Sequence, residues 1–204
     1  MEGRLGSILQ IGVLANDVSD DGQALGPGTI TRCECALVLI RKWLRQRSGA
    51  RFSPSVVIYI AAGKGGQWRG EKTLASAIEE YLKAELGNWA SFCMFVTNCE
   101  EEKVWSTLGE MRWIFHEIGE MSSWTYYQHV TFELVQFVTN SRHAKRVRFI
   151  KWFSFKRSRM GPVLISQEAP PPLWHEFCAY IKIGLVSLGL GQVVEPLRRR
   201  WYRG

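Results

Sequence analysis

The sequence predicts an α/β domain in which a mostly parallel sheet of about five strands carries helices on both faces. Three observations predict it. Strand-like and helix-like segments alternate along most of the chain. The strand-like segments are continuously apolar rather than alternating, as strands covered on both sides are. The unusual loops all follow strands, so they converge on the carboxyl-end rim of the sheet, where ligands of such folds sit.

Ser7–Leu14 reads as the first strand, and the polar, Gly-containing stretch from Asn16 to Gly28 as a loop. A helix is expected from about Thr31 to Arg47, because Ala36, Leu37, Ile40, Trp43 and Leu44 recur at helical spacing. Val56–Ala61 is a second strand, Gly63-Lys64-Gly65-Gly66 a loop, and a helix led by Glu71 runs to Leu86. Phe92–Val96 is the third strand, followed by a helix from about Ser106 to Gly119. Phe132–Val138 is the fourth strand, a helix opens near Ser141, and Pro162–Ile165 reads as a short fifth strand. Pro170-Pro171-Pro172 turns the chain into a last helix, Leu173 to Leu188.

The chain has 204 residues, enough for one domain with little room for a second. One domain is expected over residues 1–195, with a basic tail over 196–204. No apolar run approaches the roughly 20 residues of a membrane helix. The first ten residues lack the features of a signal peptide, so a cytoplasmic location is expected. Five cysteines form no CxxC pair and read as reduced thiols rather than a disulfide framework or zinc site. The net charge of +7 is uneven: residues 141–204 hold 13 Lys/Arg against 3 Asp/Glu, while residues 1–140 hold 13 against 16. This distribution suits a phosphate-bearing ligand or an anionic membrane surface. No nucleic-acid motif accompanies it, which argues against nucleic acid.

The stretch Phe137–Arg146 stands out. An apolar strand runs into a polar-capped basic helix, which presents free N–H groups and a positive dipole end at one point, a natural anion site. Thr139, Asn140, His143 and Arg146 gather there, His143 and Arg146 sharing a helix face. The loop of Gly63, Gly65 and Gly66 lets backbone approach a ligand, although it is neither GxGxxG nor a P-loop. Glu71 at a helix start either contacts ligand or stabilises the dipole. Thr107 and Glu110 open the next helix, and Ser106 there resembles a capping residue. Asp17, Asp20 and Asp21 lie in the first loop without metal-ligand spacing. No GxSxG or HExxH occurs.

In order, these motifs resemble the YdcF-like family, which includes the SanA and ElyC envelope proteins. Asp21-Gly22 and Arg32 resemble its acidic-Gly turn and helix-start Arg. Ala62-Gly63 through Gly66 with Glu71 resemble its small-Gly-Gly loop and Glu-led helix, and Thr107 with Glu110 its Thr and acidic pair. Val138, Thr139, Asn140, His143 and Arg146 match its Val-Thr-Ser-x-x-His-x-x-Arg, with Asn for Ser. The resemblance spans residues 7 to 190. It implies a Rossmann-like three-layer fold, nucleotide-type ligand binding in soluble members, and envelope or lipid-carrier roles in anchored ones. No firm reaction comes with it.

The expected function is therefore binding of a phosphorylated or nucleotide-like small molecule, with or without catalysis. Thr139 and the amides of Asn140–Arg142 would hold the anion, Arg146 would pair with it, and His143 would act as general acid or base. Glu71 and Glu110 would contact hydroxyls, amines or a divalent metal, and Arg32 would complete the charge balance. One alternative is an S-adenosylmethionine-binding protein, against which stands the absence of an acidic residue at Ala61-Ala62. The other is a non-enzymatic, envelope-associated accessory protein that places its basic face and tail on an anionic surface.

Overall fold

The computed structural model describes residues 7–15, 17–46, 54–62, 68–98, 107–123, 131–155, 160–167 and 173–187. The sheet is built from β1 (Ser7–Leu14), β2 (Val56–Ala61), β3 (Cys93–Thr97), β4 (Thr131–Phe132), β5 (Gln136–Thr139) and β6 (Leu164–Ile165). The helices are α1 (Pro27–Gln46), α2 (Leu74–Leu86), α3 (Thr107–Ser123), α4 (Ser141–Ser154) and α5 (Leu173–Ser187). A 3₁₀ turn at Gly87–Phe92 links α2 to β3. The strand order is β3-β2-β1-β5-β6, with β4 also on β1, and every strand pairing is parallel. This is the Rossmann-like three-layer arrangement the sequence predicts.

Alternation of the strand residues divides the core in two. Leu9, Ile11 and Val13 of β1, with Val56, Ile58 and Ile60 of β2, pack against Ala36, Leu37 and Ile40 of α1 and Ile78 and Leu82 of α2. Ile8, Leu14, Val57 and Tyr59 face the other way, against Met111 and Ile114 of α3 and Val147 and Ile150 of α4. β1 and β2 are buried along almost their whole length, which is why neither shows a polar face in the sequence.

The expected fourth strand is interrupted. Ser7 and Ile8 pair with Thr131 and Phe132, but Ile11 pairs with Gln136, so the later strand carries one extra residue across this interval. That is a β-bulge. Gln10 occupies it: its Nε2 donates to the Glu133 carbonyl at 2.8 Å, and its Oε1 accepts from the Tyr59 hydroxyl at 2.8 Å. A buried glutamine in an otherwise apolar strand is the sequence trace of this bulge.

Chain order reverses between β1 and β5. The crevice beyond the carboxyl ends of these two strands is the switch point at which open α/β sheets bind ligands. α1 leaves β1 there, and α4 leaves β5. The tail over 196–204 lies outside the described residues. Among the described residues no helix is long and apolar enough to cross a membrane.

Candidate functional site

The site is assembled from the starts of α1, α3 and α4. At the end of β5 the chain turns into α4 through Asn140, whose backbone is extended (φ −76°, ψ 169°) and whose Oδ1 accepts from the His143 amide at 2.7 Å. This N-cap satisfies one of the free donors of the first turn. It also fixes the start of α4, and the His143 ring lies inside rather than in solvent. Nε2 of His143 lies 2.7 Å from Oγ1 of Thr107, the first residue of α3. The two helix starts are thus joined by a direct side-chain hydrogen bond.

Glu110 follows Thr107 by three residues and is also buried. Burial pushes its carboxyl up to about 8, against the opposing pull of Arg32 and then Arg146. His143 moves the other way. Burial first, then the Arg146 and Arg32 charges, hold its imidazole well below 6.5. The ring is therefore neutral at physiological pH. The two groups feel the same Arg32 and Arg146 charges, and burial leaves the acid protonated and the imidazole unprotonated.

Arg32 comes from α1 and is fully buried. Its Nη1 donates to the carbonyls of Leu14 at 2.9 Å and Ala15 at 3.1 Å, the last residues of β1 and its continuation. A guanidinium is thereby built into the switch point. α1 begins earlier than the expected Thr31 because Asp17 caps it. Its carboxylate accepts from the amides of Thr29 at 2.7 Å and Gly28 at 3.1 Å, and the Thr29 hydroxyl donates back to the Asp17 carbonyl at 2.7 Å. Gly26 is required by this approach, since a Cβ there would lie 2.5 Å from Asp17 Cγ. Pro27 as first helical residue fits the same entry.

Thr139 and Asn140 supply a further feature. The Thr139 hydroxyl, the Asn140 Nδ2 and the Ser166 hydroxyl are buried and have no hydrogen-bond partner among the described residues. Ser166, just beyond β6, donates its amide to the Thr139 carbonyl at 2.9 Å, so the three residues end adjacent strands. Buried polar groups are almost always hydrogen-bonded, so the ends of β5 and β6 carry polar side-chain atoms that the described residues leave unsatisfied. Half-buried Arg146 lies one turn further along α4, on the face of His143.

The remaining expected residues fall elsewhere. Asp21 is exposed, and its Oδ1 closes the first loop by accepting from the Ser19 hydroxyl at 2.5 Å and the Gln23 amide at 3.0 Å. Those bonds hold its carboxyl below the usual carboxylate range. Gly22 beside it adopts φ 73° and accepts from the Arg69 amide at 2.8 Å, which ties the loop after β1 to the one after β2. Glu71 does not open α2. Thr73 is the N-cap, with its side chain accepting from the Ser76 amide at 3.0 Å, and Glu71 is exposed in the preceding turn. The buried Trp68 holds that turn through its indole N–H, 2.6 Å from the Lys72 carbonyl. Gly63, Gly65 and Gly66 lie outside the described residues. Arg32, Thr107, Glu110, Thr139, Asn140, His143 and Arg146 are the expected residues that the structure brings to the crevice, joined by hydrogen bonds, charge or adjacency.

Two residues escaped sequence reasoning. One is Ser166. The other is Asn98, buried at the end of β3, whose Oδ1 accepts from the Ala62 amide at 2.9 Å and so anchors the start of the Gly63 loop. A signal was available: Phe-Val-Thr-Asn occurs twice, at 95–98 and 137–140, each time ending a parallel strand. Each Asn spends its Oδ1 on a backbone amide, Ala62 in one case and His143 in the other.

Among the described residues no group of three or more His, Cys, Asp or Glu is placed to hold a metal ion. Cys33, Cys35, Cys93 and Cys178 are free thiols, and burial raises Cys33 and Cys93 to about 12, which keeps them protonated and unreactive. No protein-family model, curated protein or solved structure matches the chain, so the case for function rests on this crevice.

Proposed function

We propose that this protein binds a phosphorylated or nucleotide-like small molecule in the crevice between the carboxyl ends of β1 and β5. The carrying observation is the start of α4, where the buried Thr139 hydroxyl and Asn140 Nδ2 have no partner among the described residues. A helix N-terminus with two added donors suits a phosphate, and Arg146 on the same face adds charge. The Val-Thr-Asn-x-x-His-x-x-Arg spacing, the most specific part of the resemblance to the YdcF-like family, falls on these same residues. Glu110 in its acid form donates a hydrogen bond to the anion without opposing its charge, as its carboxylate would. Neutral His143 is hydrogen-bonded to Thr107 and ties the start of α3 to that of α4 beside the anion.

A thermal-shift panel of nucleotides, sugar phosphates, isoprenyl phosphates and S-adenosylmethionine, with and without divalent metal, tests this. A phosphate-bearing compound far above its dissociation constant is expected to stabilise the fold by a few kcal/mol. That stabilisation shrinks by about 1.4 kcal/mol or more in Thr139→Val, which keeps the side-chain shape and loses the hydroxyl. A folded protein that no phosphate-bearing compound stabilises overturns the proposal.

A further inference from the structure

α4 and α5 leave a large aromatic surface in the open. Phe149 of α4 packs edge-on against Tyr180 of α5 with centroids 5.4 Å apart, which holds the two helices side by side. Around this contact Trp152, Phe153, Trp174, Phe177 and Ile181 are exposed, Trp152 by 63% and Trp174 by 64%. Leu173, at 72%, extends the patch to the start of α5. Isolated exposed apolar residues mean little, but a contiguous set of large ones marks an interaction surface.

The surface is basic as well as aromatic. Lys145 and Arg148 are exposed on α4 and lie on the same side as Trp152, spaced three and four residues apart. α4 contains five Lys or Arg residues and no acidic one. This charge selects among occupants. In a two-fold pairing of copies through this patch, the bases of one copy would meet those of the other. A partner with negative charge above an apolar layer matches both components. Trp and Phe settle at the interfacial level of a bilayer, while Lys and Arg meet anionic headgroups.

We infer that the outer face of α4 and α5 is a peripheral docking surface for a bilayer rich in anionic phospholipid, with Trp152, Phe153, Trp174 and Phe177 entering the interface and Lys145 and Arg148 contacting headgroups. This surface is separate from the residues of the crevice, so its failure and that of the ligand proposal are distinguishable.

The test is co-sedimentation of the full chain with vesicles of phosphatidylcholine alone and of phosphatidylcholine mixed with phosphatidylglycerol. Binding is expected to the mixed vesicles and to weaken with salt. Replacing both Lys145 and Arg148 by Gln weakens it about thirty-fold, on the scale of surface-bound basic residues. Trp152→Ala with Phe153→Ala weakens it at unchanged salt dependence. These positions are exposed, and an unchanged melting temperature verifies that each variant folds. Four results overturn the inference: no binding to mixed vesicles, equal binding to both vesicle types, binding unaffected by either double substitution, or a patch-dependent dimer or nucleic-acid complex without vesicle binding.

Discussion

Thr107 Oγ1 and His143 Nε2 lie 2.7 Å apart and join the starts of two helices that leave the sheet from different strands. The bond crosses 36 residues of sequence and orients a buried neutral imidazole. Thr107→Val is expected to leave that ring nitrogen buried without its partner and to cost about 1–3 kcal/mol of stability, read by urea unfolding. Thr107→Ser is expected to recover most of the loss. A full loss in Thr107→Ser with none in Thr107→Val would show that the methyl, not the hydroxyl, matters.

Glu110 and His143 predict how stability responds to pH. Glu110 titrates at 4.5 when unfolded and at about 8 when folded. Between these values the folded state holds the extra proton, so stability falls as pH rises, by about 1.4 kcal/mol per unit. His143 is depressed from 6.5, so the unfolded state takes up the proton first and stability falls as pH drops below 6.5. Between 4.5 and 6.5 the two slopes oppose, and from 6.5 to about 8 only the Glu110 slope remains. Denaturant unfolding across this range should show the alkaline decline in the native chain and its loss in Glu110→Gln. A decline that persists in Glu110→Gln assigns it to another group.

Asn140 has two functions that one substitution separates. Asn140→Ala loses the cap on His143 and is expected to cost about 1 kcal/mol. Asn140→Asp keeps an oxygen that caps, favoured by the helix dipole, but loses the Nδ2 donor and adds a negative charge. It should fold with near-native stability and bind anions poorly. Calorimetric titration with the ligand found by thermal shift, beside a melting curve, checks both halves; undiminished anion binding in Asn140→Asp removes Nδ2 from the site.

Gly12 is held by packing rather than by backbone conformation. A Cβ there would lie 2.7 Å from the Phe137 ring, and Gly12 pairs with Phe137 across the two strands that frame the crevice. Gly12→Ala should destabilise the fold by about 1–3 kcal/mol. Combining it with Phe137→Leu, which withdraws the ring, should recover part of that loss in the same unfolding measurement.

The apolar strands were the legible part of the sequence. Ser7–Leu14 and Val56–Ala61 are compact apolar runs preceded by Gly6 and Ser55, and the structure gives them the same limits. Helix starts were less legible because they depend on capping at a distance. α1 begins at Pro27 since Asp17, ten residues upstream, reaches its first amides, and α2 begins at Leu74 since Thr73, not Glu71, is the cap. Within the site, the run from Thr139 to Arg146 was visible because its residues are local. Ser166 was not, because it enters through a neighbouring strand that only the sheet order brings close, whereas Asn98 left its trace in the repeated Phe-Val-Thr-Asn.

The most direct test of the crevice as an anion site is calorimetric titration of the tightest phosphate-bearing compound of the panel into the native chain, Thr139→Val and Arg146→Gln. The account predicts binding to the native chain, weakened about tenfold or more in each variant at retained fold, on the scale of one charge-assisted hydrogen bond. Native affinity in both variants would contradict it.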